Sequence, residues 1–469
     1  MTKPNQQDQR KLMMVNDPIP KVIFKMAIPT IIAFLITSIY NLADTYFVSD
    51  LGTEATAAIS VNSSLDQLIM MTGSLLAVGA NSYIARLLGQ GNERKASQVL
   101  STAFFLALAL SLTLTIAGSV FISPLVDLLG ATPTCKQYSI DYATYVLLAA
   151  PFMATSFVMN QCLRSEGSAT LSMIGMGFGG ILNCVLDPLF IQGVPAIGLP
   201  ALGVAGASIA TAISKLVSFM ILIFPYLTRR SLLHLSVRNF RFQWDIIKEI
   251  ISIGSSSMFR SGLAVVSAIL LNDLAGNISD SVLAGVGVCN RVMMFPFSII
   301  LGFGTGFQPV AGFNWGAKRF DRVQGSYRYS ARVALIGSTV MALVLALGAD
   351  FVISLFAEND PELRRLGALC IRLQCIALPV HAWVAVVNML CSGLGNAGGA
   401  LLLSTARQGS CMLPILYPMA WLWGAYGVVS VQAVADVLTL ALAIPLSVHM
   451  AKKIRQAKLL HESAVLIEE

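Results

Sequence analysis

The sequence predicts an all-α membrane protein: about twelve transmembrane helices in two pseudo-symmetric six-helix lobes around a central cavity. Three observations carry that expectation. Of 469 residues, 56% are hydrophobic and 12% charged, with mean hydropathy +0.73, whereas soluble domains carry about 25% charged residues. Apolar runs of bilayer length recur about twelve times. Finally, Gly, Pro and Asn anchors of the first half return in the same order in the second.

Composition also excludes several classes. The eight cysteines are scattered without a CxxC, and the four histidines are dispersed, so neither a disulfide framework nor a zinc site is expected. The net charge of +7 sits in short loops between apolar runs, a pattern of membrane orientation and not of nucleic-acid binding. No GxxxxGK[ST] is present, so ATP does not obviously power this chain. No HExxH or paired metal site points to a membrane enzyme.

About twenty polar residues precede the first apolar run, which then continues at membrane length. Residues 1–20 therefore read as a cytoplasmic tail, not a cleavable signal peptide. The expected spans are 22–48, 54–86, 97–123, 137–161, 169–192, 201–226, 246–273, 281–315, 327–356, 363–391, 399–422 and 426–450. Alternate connections are basic, beginning with the N-tail and including Arg229, Arg230, Arg238 and Arg241 after span 6. The positive-inside rule then places both termini in the cytoplasm, which an even number of crossings satisfies.

The longest polar connection lies near the middle and divides the chain. The segment Gly79 to Gly89 returns as Gly306 to Gly316, both glycines displaced by 227. Pro151, Asn160 and Gly167 match Pro379, Asn388 and Gly395 at 228, and Gly203 and Gly206 match Gly424 and Gly427 at 221. Nearly constant offsets indicate duplication of a six-span unit. Copies of even span number enter the membrane with the same orientation, related by an axis along its normal. The expected domains are an N-lobe 21–227, a cytoplasmic linker 228–245, a C-lobe 246–450 and a cytoplasmic tail 451–469.

Acids embedded in the spans are the candidates for chemistry, because a membrane carboxylate is costly unless paired, wetted or protonated. Asp44 is the one charge deep in span 1, and Asp187 lies in span 5 directly before Pro188. Their repeat counterparts, near Leu271 and Ile415, are apolar. Polar glue would be expected in both halves; ion-coupling chemistry confined to one lobe explains the asymmetry. Asn183 precedes Asp187 by four residues and shares its helix face. A carboxylate beside an amide can hold H+ or Na+. In span 1, Tyr40, Asn41, Asp44 and Thr45 form one polar strip facing the lobe interior. Asp66, Lys215, Arg260, Arg291, Arg372, Arg407 and Asp436 could line the cavity, pair or snorkel. Glu166 beside Arg164 reads as a local ion pair.

Together these motifs resemble the multidrug and toxic-compound extrusion (MATE) family over nearly the whole chain, in the DinF-like and MepA-like bacterial branch. The resemblance rests on Asn41-Leu-Ala-Asp44, the Gly79 to Gly91 segment, Leu163-Arg-Ser-Glu-Gly167, Leu182 to Ile191 and Gly203 to Thr211. It implies an antiporter of the bacterial cytoplasmic (inner) membrane that exports lipophilic, often cationic compounds against inward H+ or Na+. It further implies a cation site at Asp44, Asn183, Asp187 and Thr211, with Tyr40, Asn41, Arg260 and Arg291 as substrate-cavity candidates. No cofactor, resident metal or nucleic-acid partner is expected, and the chain is expected to be monomeric. The alternative is a lipid-linked oligosaccharide flippase of the wider superfamily, which would prefer an arginine-rich cavity such as Arg260, Arg291 and Arg407 would give.

Overall fold

The computed structural model describes residues 6–49, 52–193, 200–356 and 360–468. Residues 1–5 and 469 of the expected tails, and the Thr45 side chain of the span-1 strip, lie outside the described residues. The chain is all-α, with no strand among the described residues. In the first half run α1 (Gln6–Asn16), α2 (Ile19–Ser49), α3 (Thr53–Gly89), α4 (Glu93–Val120), α5 (Ile122–Leu128), α6 (Lys136–Ser165), α7 (Ala169–Gln192) and α8 (Gly203–Leu227). In the second run α9 (Trp244–Ile278), α10 (Asp280–Gly316), α11 (Phe320–Leu347), α12 (Ala349–Ser354), α13 (Pro361–Gly393), α14 (Ala397–Thr405), α15 (Met412–Trp423) and α16 (Ala425–Glu468).

Eleven described helices are long and apolar enough to cross a membrane. The remaining expected span, 399–422, is broken: α14 and α15 are separated by a π-helical turn, Ala406–Ser410. Such turns widen a helix by one residue and often sit at functional sites.

The duplication is visible in the backbone, and its anchors have physical reasons. The short helices α5 and α12 begin at residues 122 and 349, again 227 apart. Gly167 and Gly395 adopt φ of 79° and 78°, and Gly203 and Gly424 adopt 54° and 52°. A side chain is strained at all four. Asn160 donates to the Ser172 carbonyl at 3.0 Å, and Asn388 to the Ser404 hydroxyl at 2.8 Å. Each ties one buried helix, α6 or α13, to the helix that follows.

Two compact units divide the chain: residues 1–12 with 32–254, and residues 13–31 with 255–469. These boundaries differ from the expected ones. Residues 22–31 of span 1 belong to the second unit, and 246–254 of span 7 to the first. Close backbone packing within each unit accounts for this. A Cβ at Gly79 would overlap the Ile250 carbonyl in the first unit, and one at Gly306 would lie 2.6 Å from Ala27 Cα in the second. Both glycines let a span's opening turns lie against the backbone.

In the first unit α6 packs against α3, α4 and α8, and in the second α13 packs against α10, α11 and α16. The faces turned outward carry large apolar side chains such as Ile116, Val120, Val344 and Trp421, as lipid contact requires. The polar connection after α8 is strapped to α4. Ser97 accepts the His234 N–H at 3.1 Å and Thr102 the Arg241 N–H at 3.3 Å.

Candidate functional site

Four helices of the first unit each present two polar residues one turn apart. They are Tyr40 and Asp44 on α2, Asn62 and Asp66 on α3, Asn183 and Asp187 on α7, and Thr211 and Lys215 on α8. Residues four apart share a helix face, so each pair is presented as a unit. Glycines of α7 permit close approach: a Cβ at Gly180 would lie 3.0 Å from the Tyr40 ring, and one at Gly179 would overlap the Ser218 hydroxyl of α8.

The tightest group is Asn183, Asp187 and Thr211. The Asn183 amide donates to Asp187 Oδ1 at 3.0 Å and lies 3.3 Å from the Thr211 hydroxyl. Asp187 is fully buried. Asp44 acts electrostatically on Asp187 and on Asp66. The three carboxylates are therefore neighbours, although among the described residues no three His, Cys, Asp or Glu gather tightly enough to hold one metal ion. Asp66 thus joins the expected set of Asp44, Asn183, Asp187 and Thr211.

Lys215 completes the cluster. Its ammonium donates to the Tyr40 hydroxyl at 3.0 Å, lies 4.8 Å from the centre of that ring, and acts on both Asp44 and Asp66. Tyr142, fully enclosed behind them, feels the charge of all three acids. Even so, four buried acceptor oxygens find no donor among the described residues: Asp44 Oδ1, Asp66 Oδ1, Asp187 Oδ2 and Asn183 Oδ1. A buried acceptor without a donor costs free energy. Oxygens of this kind suit a proton or a small hard cation.

Asp66 and Lys215 were legible as embedded charges, but not as members of this site. The signal that finds Asp66 is the spacing, since Asn62/Asp66 repeats the Asn-x-x-x-Asp pattern of Asn183/Asp187. Of the other candidates, Asn41 is exposed on α2, and Arg291 is exposed on α10. Arg260 lines a cavity of about 240 Å³ in the second unit, together with Phe297, His381, Asn388, Arg407 and Asp436.

One expectation is corrected. Glu166 does not pair with Arg164, because residues two apart point to different sides of a helix end. Arg164 instead bonds Asn160 and lies 5.8 Å from the Phe34 ring centre. Glu166 accepts from the Ser231 hydroxyl and the Leu232 N–H, the latter at 2.8 Å. Two other embedded charges are paired, Arg372 with Asp350 at 2.6 Å and Arg407 with Asp436 at 2.6 Å.

Comparison with known proteins agrees with this architecture. The MatE family model matches residues 29–189 and 257–421. The chain is 26% identical over 425 residues to the multidrug export protein MepA of Staphylococcus haemolyticus, covering 90% of this chain and 92% of that one. It is 28% identical over 428 residues to a protein of Shewanella oneidensis named FAD transporter, covering 91% and 93%. Among solved structures, a MATE protein in complex with MaL6 superposes with a TM-score of 0.88 at 25% identity, over 95% of this chain and 99% of that one. The outward-facing conformation of a multidrug resistance MATE family transporter of the MOP superfamily gives 0.88 at 25% identity, over 97% and 99%.

Proposed function

The chain belongs to the MatE family, and from that premise we propose that it is a secondary active exporter of multiple drugs. On this reading it sits in the bacterial cytoplasmic membrane with both termini inside, and expels lipophilic, often cationic compounds in exchange for inward H+ or Na+. The observation that carries the proposal is the set of donorless oxygens around Asn183, Asp187 and Thr211, with Asp44 beside them.

The chemistry follows from those atoms. Asn183 holds Asp187 Oδ1 and so orients the carboxylate, leaving Oδ2 and the Asn183 carbonyl to accept. A proton on Oδ2, or Na+ among these oxygens and the Thr211 hydroxyl, neutralises the charge and relieves the repulsion between Asp187 and Asp44. Relief of that repulsion changes which packing of α2, α7 and α8 is favoured. A ligand shifts a conformational equilibrium only through such differential interaction. Ion binding from outside then drives the outward release of cargo, and ion release inside resets the empty protein.

Proteoliposomes test this. Ethidium export is expected under a pH gradient alone or a Na+ gradient alone. Asp187→Asn and Asp44→Asn are each expected to lower it at least tenfold while membrane insertion is unchanged. Native export rates in both variants would sink the coupling assignment. Because one relative is named FAD transporter, FAD is run beside ethidium; export of FAD alone would replace drugs by a flavin dinucleotide as the cargo.

A further inference from the structure

The second unit holds a charged cavity that the ion-coupling reading leaves unused. It lies against the π-turn that interrupts span 11, and two of its residues, Arg407 and Gln408, come from that turn. Ser267 fixes the turn by donating to the Gln408 carbonyl at 2.5 Å. Arg407 is thereby held over the Phe297 ring, its guanidinium carbon 4.4 Å from the centroid.

The charges in this cavity do not cancel. Arg407 is spent on Asp436, with contacts of 2.6 and 3.4 Å. His381 stands edge-on to Phe297 at 5.2 Å and 3.9 Å from the same carboxylate. Among the described residues Arg260 has no acid: its hydrogen-bond partner is the Ser257 hydroxyl at 3.2 Å. One guanidinium charge is therefore left over beside the Phe297 and His381 rings, in a space with mostly apolar lining. A cation in that space would meet repulsion from Arg260. An anion would neutralise it, and a flat ring would find Phe297 and aliphatic contacts from Leu301, Val384 and Met389.

We propose that this cavity is a binding site for a small planar aromatic monoanion, its acid group on Arg260 and its ring against the Phe297 side. The site goes beyond the ion-coupled export proposed above. It would give the second unit a ligand opposite in sign to the cation of the first. A guanidinium recognises a carboxylate through paired N–H donors, and aromatic walls supply area without needing a charge.

The test is binding, not transport, so its failure and that of the export reading are separable. Purified full-length protein in phosphatidylcholine nanodiscs is titrated by equilibrium dialysis with radiolabelled 2-naphthoate and with its neutral isostere, 2-naphthamide. Naphthoate is expected to bind at least tenfold more tightly than the amide. Arg260→Gln is expected to erase that difference by weakening naphthoate alone. Ala264→Leu, which fills the cavity and leaves every charge in place, is expected to weaken both ligands. Equal binding of acid and amide by the native protein would overturn the proposal, as would unchanged naphthoate binding in Arg260→Gln. Displacement of naphthoate when phosphatidylglycerol replaces phosphatidylcholine would assign the site to a lipid headgroup and also overturn it.

Discussion

Replacing Glu166 with Gln should abolish a pH-dependent loosening of the connection between α8 and α9. Glu166 caps the end of α6 and is 2% exposed. Both its oxygens accept from the Ser231 hydroxyl, and Oε2 also accepts the Leu232 N–H. Burial pushes this carboxyl up from 4.5 to about 7, against the pull of the Ser231 and Leu232 bonds and of the Arg10 charge. Each pKa unit corresponds to 1.36 kcal/mol, so ionising Glu166 costs about 3 kcal/mol more in the closed connection than in water. The closed pKa is the higher one. Its contribution to closure is therefore complete below about 4.5 and is lost as the pH rises towards about 7. From pH 5.5 to 7.5 the loss is roughly 2 kcal/mol, or roughly thirtyfold in the opening equilibrium. Hydrogen exchange of the 228–241 peptides, corrected for intrinsic rates, should show that fall in protection, and Glu166→Gln should be flat over the same range. Protection that rises with pH, or a fall that survives in Glu166→Gln, would refute the reasoning.

Further outcomes follow from packing and charge. Gly79→Ala places a methyl group against the Ile250 backbone and should cost about 1–3 kcal/mol, read as a lower Tm in nanodiscs. Gly287→Ala, with no heavy atom near its new Cβ, should be neutral or stabilising by up to about 1 kcal/mol. Arg407→Met leaves Asp436 buried without its partner and should cost about 3–5 kcal/mol. The double variant Arg407→Met with Asp436→Leu should recover most of that loss, and a double variant no more stable than the single would count against the pair.

Much of this fold was legible because its determinants are local. Bilayer-length runs set the spans, and most of the glycines that align the halves hold a positive φ or a close backbone approach. The π-turn was not legible: 399–422 reads as one run of bilayer length, and its polar centre, Ser404 to Ser410, suits a continuous helix as well as a broken one. The unit boundaries were hidden for a similar reason. Packing at Gly79 and Gly306 assigns the opening turns of spans 1 and 7, and packing is not a property of the run itself. At the site, Asn183 and Asp187 could be paired by spacing within one helix. Glu166 was misread because the neighbours of a helix end are set by the returning chain, here Ser231 and Leu232, 65 and 66 residues away.

The repeat makes the charge difference between the halves informative. α7 begins at residue 169 and α14 at 397, 228 apart, and the same step carries Gly179 onto Arg407. In α7 that position must be small, because Ser218 of α8 occupies the space a Cβ would need. In the second unit it carries a guanidinium, and the helix there departs from α-geometry into a π-turn. One backbone plan thus gathers three carboxylates and one lysine in the first unit, and two guanidiniums and one carboxylate in the second. Duplication alone would have produced matching interiors. On the ion-coupled export proposed above, interiors of opposite sign keep an ion drawn to the acidic unit from competing for the basic one.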